Sequence, residues 1–276
     1  MAQANLYLYQ IYYNQETRDM LDPGFIPIEN SSTTDSEWFE YPAILKALEL
    51  KDYLPTDLIG VFSPRFFEKT GHSSAEVAAA VRNNPWLISN FSPAYDSSSL
   101  YLNPWHQGEQ VHSGLIECFD KVISTLGFED SVKDIVLDSE GTIFSNFFVA
   151  PYFVWKAWKD AISAIIALSE GNDALASTLN QPVRHRKQNS NYTMKIFVLE
   201  RVISFLAYKH DWSVSYTYNP RRYPYAISGM RSESALITSC DLLKSQYISS
   251  QDMYYLEKWV DIRNLLARKI ENVSVN

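Results

Sequence analysis

The residues best placed to do chemistry are carboxylates at the ends of apolar runs. Asp138 and Glu140 flank Ser139 just after the run from Asp134 to Leu137. On an extended backbone both side chains face one side, and a turn could aim both at one cation, with hard oxygens that suit Mg²⁺ or Mn²⁺. The competing reading is an acidic turn whose Asp caps the following backbone. Asp138 is the stronger half of the pair, because it could also contact a sugar or ribose without a metal. Glu200 lies among Leu199, Val202 and Ile203, where a buried carboxylate needs a partner or a raised pKa. Such a group could deprotonate a hydroxyl, or it could anchor its helix through an ion pair with Arg201 or a distant Arg. Glu40 carries the same ambiguity. Arg65, after Ser63-Pro64 at the end of an apolar run, could hold a diphosphate through paired hydrogen bonds, or stack at the surface on Phe66 or Phe67. His112 starts a helix and could meet an anion when charged, or be a satisfied structural histidine.

The elements that position these groups follow from periodicity. Leu6 to Tyr13 predicts a buried first strand ending at Asn14, and Asp57 to Phe62 a second. Asp22-Pro23-Gly24 is a turn, Asn30 to Ser36 a polar loop, and a short helix follows to about Leu50. Ser73 and Glu76 have the spacing of a capping box before an alanine-rich helix that Asn84-Pro85 ends. Trp86 to Phe91 predicts a strand, Ser92 to Gln110 a long loop, and His112 to Leu126 a helix stopped by Gly127. Asp134 to Leu137 and Ile143 to Val149 read as strands around the acidic turn. Phe153 to Ser169, Met194 to Lys209 and Gln251 to Lys269 have helical spacing. The last mixes Met253, Leu256, Trp259, Val260, Ile262, Leu265 and Leu266 with four basic residues, which suits a core or dimer helix and also an interfacial membrane helix. Strands alternate with helices first and helices dominate later, so the expected class is α/β with a mostly helical C-terminal part. The expected division is a core over residues 1–210 and an extension over 211–276.

Composition narrows the function classes. A chain of 276 residues with 46% hydrophobic and 20% charged residues can bury a real core. Its 18 Tyr, 14 Phe and 7 Trp fill cores and also suit stacking on sugars. A net charge of −8 without a sustained basic block argues against nucleic acid as partner, leaving only the short runs 184–187 and Arg221-Arg222 as basic patches. Cys118 and Cys240 make no disulfide framework or zinc pattern, which implies a reducing compartment. With no signal-peptide pattern and no long apolar run, the expected location is the cytoplasm. Glycine-rich phosphate loops and GxSxG are missing from the sequence, which removes the best support for dinucleotide, P-loop and serine-hydrolase chemistry. A glycosidase with paired carboxylates stays open, since its two acids need only converge in space.

Several motifs occur in one order: Trp38-Phe39-Glu40-Tyr41, then Leu58 to Phe66 (LIGVFSPRF), then Asn103 with Gln107-Gly108-Glu109 and His112, then Ser145 to Val149 (SNFFV), then Lys195 to Arg201 (KIFVLER). This order resembles that of bacterial capsular and O-antigen glycosyltransferases of the GT-A kind, over roughly residues 6 to 210. The departures are the missing glycine in Lys195-Ile196-Phe197 and the lack of a strict DxD at Asp138-Ser139-Glu140. The resemblance implies a GT-A-like nucleotide-sugar-binding core, with transfer of a sugar to a glycan or lipid-linked acceptor in surface polysaccharide synthesis at or near the inner face of the cytoplasmic membrane. It implies donor contacts from Tyr12, Asn14, Ser63, Arg65 and Asn146, and acceptor contacts from Asn103, Glu109 and His112. Glu200 is the first choice of base, Glu40 the second, and Asp138 with Glu140 the site of Mg²⁺ or Mn²⁺ if a metal takes part. The rival expectation is a non-catalytic glycan- or partner-binding protein that keeps a transferase-like fold.

Overall fold

The computed structural model describes residues 4–31, 37–83, 88–183, 192–217, 226–227 and 230–274. The first part of the chain runs β1 (Leu6–Tyr12), α1 (Gln15–Asp19), β2 (Ile26–Glu29), α2 (Tyr41–Glu49), β3 (Leu58–Phe62), α3 (Phe66–Thr70) and α4 (Ser74–Asn83). The middle adds β4 (Ile88–Asn90), α5 (Tyr95–Leu100), α6 (Pro104–Glu109), α7 (Leu115–Thr125), β5 (Phe148–Pro151) and α8 (Tyr152–Ser169). The last part holds α9 (Ala174–Leu179), α10 (Met194–Leu199), α11 (Val202–Lys209), β6 (Val214–Tyr216), α12 (Ser234–Ser250) and α13 (Met253–Ser274).

The six strands form one mixed sheet in the order β2-β1-β3-β5-β4-β6. β1 pairs in parallel with β2 and β3, β5 runs antiparallel to both β3 and β4, and β6 is parallel to β4. The central strands are buried on both faces, which is why LIGVF in β3 is apolar throughout. Alternation sorts their side chains into two layers. Tyr9, Ile11, Ile59, Val61 and Phe148 face the larger cluster, built with α2, α7, α8, α10 and α11. Leu8, Leu58, Phe62 and Val149 face the smaller one, with Phe66 of α3 and Val77 and Val81 of α4. Gly60 sits where β3 meets β5, and a Cβ there would lie 2.8 Å from Val149 and from the Phe62 ring. A third cluster joins Tyr95 and Leu100 of α5 to Ile237 and Cys240 of α12 and Trp259 and Leu266 of α13. No described helix is long and apolar enough to cross a membrane.

The mixed α/β sheet flanked by helices matches the expected class, and several boundaries move. Ser73 and Glu76 do close a capping box, with Ser73 N donating to Glu76 Oε2 at 2.8 Å and Glu76 N to Ser73 Oγ at 3.3 Å. The segment 134–137 is not a strand; Ile135 and Leu137 are buried in irregular chain, where Leu137 N donates to Leu102 O. Only Phe148–Pro151 of the second expected strand joins the sheet. The expected loop 92–110 folds into α5 and α6, the second capped by Asn103. The expected single helix 194–209 breaks at Glu200-Arg201, between α10 and α11. Beyond residue 210 the chain still feeds the sheet, through β6. α12 escaped the periodicity because Lys244 occupies one of its buried positions and interrupts the apolar stripe. On α13, Trp259 and Leu266 are core residues while Met253, Val260 and Leu265 face outward. The basic runs at 184–187 and 221–222, and Asn84-Pro85, lie outside the described residues.

Candidate functional site

From β1 the chain steps outward to β2, then returns through α2 to β3 on the other side of β1. In an open α/β sheet such a reversal leaves a crevice at the carboxyl ends of the two central strands. A cavity of about 280 Å³ lies there. Tyr13 enters it just past β1 and Ser63 just past β3, while Ser145, Asn146 and Phe147 approach from the start of antiparallel β5. Glu40, Tyr41 and Ile44 come from the first turn of α2, Lys69 from α3, Ile196 from α10 and Glu200 from the α10–α11 break.

Glu40 is the most constrained of these groups. Tyr13 Oη donates to its Oε1 at 2.8 Å, and Asn146 Nδ2 donates to its Oε2 at 3.0 Å and to Val61 O at 2.8 Å. Burial pushes the Glu40 carboxyl above the ordinary range, the nearby Glu200 charge adds to that, and the hydrogen bonds from Tyr13 and Asn146 and the Lys69 charge pull the other way. Burial also raises Tyr13, with the Glu40 charge adding to it, so the phenol keeps its proton and remains a donor. The wall beside Glu40 holds two non-glycine residues in left-handed backbone conformation, Phe39 and Ser145, each at φ 51°. Backbone strain of this kind persists only where surroundings impose it. Phe39 is held by stacking on Tyr192 with centroids 4.9 Å apart and by Asn30 Nδ2 donating to its carbonyl. Ser145 N donates to Glu200 O at 2.8 Å.

Glu200 reaches the same cavity from a different setting than its sequence implied. It caps the end of α10 with its side chain 35% exposed, and its Oε2 lies 3.4 Å from Arg201 Nη1. The buried member of the pair is Arg201. Its guanidinium donates to Pro104 O at 2.9 Å, Phe197 O at 2.7 Å and Gln107 Oε1 at 3.1 Å, tying the helix break to α6. Lys69 makes no ion pair among the described residues and stands 5.3 Å from the Phe147 ring centroid.

Of the expected donor contacts, Ser63 and Asn146 line this cavity. Tyr12, Asn14 and Arg65 do not: Arg18 sits over the Tyr12 ring, Asn14 caps α1, and Arg65 forms an exposed bidentate pair with Glu68. Asn103 is an internal brace, accepting from His106 N and donating to Val132 O and Ile135 O. Glu109 accepts from Gly114 N and Ile116 N at the start of α7. His112 stacks on Phe197 at 3.5 Å and lines a separate cavity of about 250 Å³ with Tyr101 and Gln107.

Asp138 and Glu140 line a third cavity, of about 380 Å³, with Asp211 and Trp212. Asp138 Oδ1 accepts from Glu140 N and Gly141 N at 3.1 Å each, and its Oδ2 from Ser245 Oγ at 2.6 Å, so the carboxylate is taken up by its own turn and by α12. Burial pushes the Glu140 carboxyl up, and Asp138 and Asp241 add to it. The described residues include no cluster of three metal-type ligands. Asp138 and Glu140 thus line a different cavity from Glu40, and both oxygens of Asp138 already accept hydrogen bonds from its own turn and from α12.

The sequence reading passed over Tyr13, Lys69 and Tyr192. Lys69 had a signal: it lies one helical turn after Arg65, on the helix that leaves the carboxyl end of β3. Tyr192 had none, since stacking on Phe39 spans the whole chain length between α2 and α10. Compared with known proteins, the chain matches no family model, no curated protein and no solved structure.

Proposed function

We propose that this chain is a GT-A-like glycosyltransferase that moves a sugar from a nucleotide-sugar donor to a glycan hydroxyl. The observation that carries the reading is the Glu40 carboxyl, held by Tyr13 and Asn146 and raised by burial, in a cavity at the carboxyl ends of β1 and β3. A carboxyl whose pKa is raised is, once ionised, a better proton acceptor from a hydroxyl than an ordinary surface acid. Glu40 replaces Glu200 as the first choice of base, since Glu200 is a third exposed and tied to Arg201. The cavity is near the small end of ligand sites, roughly 300 Å³, and suits one sugar ring with the rest of the donor at its mouth. The aromatic rings of Phe39, Tyr192 and Phe147 give that ring apolar faces.

In this reading the acceptor oxygen attacks the anomeric carbon while its proton passes to Glu40. The bond from that carbon to the donor phosphate breaks, and the diphosphate leaves with the electron pair. Lys69 offsets the charge that develops there, the role expected of Arg65. The direct test is nucleotide release from a panel of nucleoside-diphosphate sugars, with and without glycan acceptors. Neither binding nor release across the panel would reject the transferase.

One observation favours a second reading. Glu40 and Glu200 line the same cavity, and two carboxylates in different environments are also the equipment of a glycoside hydrolase. Cleavage of glycans without any nucleotide-sugar would select it. Binding of glycan without turnover of either substrate class would select a non-catalytic binding protein.

A further inference from the structure

Asn146, which meets Glu40 from the side of β5, ends a stretch that has no ladder of its own. Between α7 and β5 the chain forms no helix or strand. Its buried backbone groups must find partners elsewhere, and from residue 139 to 144 side chains of neighbouring elements supply them. Asn90, the last residue of β4 and buried, is the centre of this arrangement. Its Nδ2 donates to Ser139 O at 3.1 Å, Glu140 O at 3.2 Å and Thr142 O at 2.9 Å, and its Oδ1 accepts from Ser92 N at 2.9 Å. Ser92 Oγ in turn accepts from Phe144 N at 2.8 Å, and Ser204 Oγ of α11 accepts from Ile143 N at 2.8 Å.

The far end of the stretch leads directly to Glu40. Asn146 uses both protons of its amide, one on Glu40 Oε2 and one on Val61 O. Phe147 O accepts from Phe91 N at 2.8 Å, one residue past Asn90. β4 is itself fixed between β5 and β6, with Asn90 opposite Phe148 on one side and Tyr216 on the other. Asn90 thus ties the turn 139–142 to the frame of the sheet, and Ser92 ties the residue before Ser145 and Asn146 to the same frame. An amide with no spare proton cannot follow a shift of its backbone without weakening one of its two bonds.

We propose that Asn90, together with Ser92, is a positioning residue for Glu40: it fixes residues 139–144 against the sheet and so sets Asn146, whose amide orients the Glu40 carboxylate. Only the effect on turnover rests on the reading of Glu40 as the base of a transferase; the effect on the carboxyl holds whatever substrate the chain takes.

The experiment is an NMR titration of the full chain, ¹³C-labelled at the glutamate carboxyls, in which the Glu40 signal is the one that Glu40→Gln removes. It is run on the parent, Asn90→Ala, Ser92→Ala and a control, Asp57→Ala. Asp57 is also buried and accepts from Asn5 N at 3.1 Å, Asn5 Nδ2 at 2.9 Å and Leu54 N at 3.0 Å, but it does so at the amino end of β3 and does not line the cavity. All three variants should melt below the parent, because each leaves buried polar groups unpaired. The Glu40 midpoint should rise in Asn90→Ala and Ser92→Ala alone, since the hydrogen bond from Asn146 holds it down in the parent, while burial, Tyr13, Lys69 and Glu200 are untouched. Turnover should fall about ten- to a hundredfold in the same two variants, the scale of a misplaced catalytic group. A Glu40 midpoint equal to the parent's in folded Asn90 and Ser92 variants overturns the proposal, as does an equal shift in Asp57→Ala. Where Asn90→Ala fails to fold, Ser92→Ala decides, and failure of both to fold also overturns it. A shifted midpoint in a chain that turns over no nucleotide-sugar keeps the positioning role and removes the transferase.

Discussion

Replacing Glu40 by Gln separates catalysis from architecture at a carboxyl that burial raises beside the cavity. The amide has the shape of the carboxylate, so its oxygen can take the hydrogen bond from Asn146 Nδ2 while its NH₂ donates to Tyr13 Oη, whose hydroxyl rotates to accept. At worst one neutral hydrogen bond is weakened, about 1 kcal/mol. Against that, the charged form of Glu40 is disfavoured by burial, and Gln removes this cost. The sign follows from the raised pKa in the folded state: the contribution of Glu40 to stability is full below its unfolded value and is lost as pH rises through the folded value. Glu40→Gln should therefore melt within a few degrees of the parent at acid pH and close that gap, or exceed the parent, near neutrality. Turnover should fall about 10²- to 10⁴-fold, the usual worth of a general base, which is about 3 to 5.5 kcal/mol of barrier. In the parent the acid limb of turnover should lie above the ordinary glutamate value of about 4.3, and the variant should lack it. The assay is nucleotide release from the donor found in the panel, run from pH 4 to 9 on protein whose melting curve is recorded alongside. A well-folded variant with turnover within a few-fold of the parent would refute Glu40 as base and return Glu200 to first place.

Lys69→Gln should raise the acid limb of turnover further, because the Lys69 charge holds the Glu40 pKa down, and should weaken binding of the free nucleoside diphosphate; unchanged nucleotide affinity would remove Lys69 from the donor site. Asp138→Asn should lower the melting temperature by a few degrees through the Ser139–Gly141 turn and α12, while excess chelator leaves turnover unchanged; full loss of turnover in chelator would put Mg²⁺ or Mn²⁺ back into the reaction. Lys244→Met strips the donor from the carbonyls of Ser98, Tyr101 and Leu137, which should cost about 3 kcal/mol or more and lower the melting temperature by roughly 6 to 12 °C. A melting point within 2 °C of the parent would show that α12 is held by the Ile237–Trp259 cluster alone.

What could be read from the sequence was local and periodic. The unbroken apolar run of β3 announced a strand buried on both faces, Ser73 and Glu76 announced a helix start, and the apolar spacing from Phe153 announced α8. Each of these depends on residues within a turn or two of one another, so a short window holds all the information needed. Glu40 and Glu200 were singled out for their residue type, but nothing local said that they share a cavity, because 160 residues separate them in the chain. The sequence also placed Glu200 inside an apolar helix. Its neighbours are apolar because they pack on α7 and α8, while the backbone breaks at Arg201, whose guanidinium finds its carbonyl partners on α6 and α10. Asp138 and Glu140 looked like metal ligands by spacing, and only the arrival of Ser245 and the turn amides shows how Asp138 is occupied. Tertiary packing decided the rest: a carboxyl and a phenol have no unusual chemistry as letters in a chain, and Glu40 and Tyr13 have their pKa values raised only when the end of β1, the start of α2 and Asn146 before β5 meet around them.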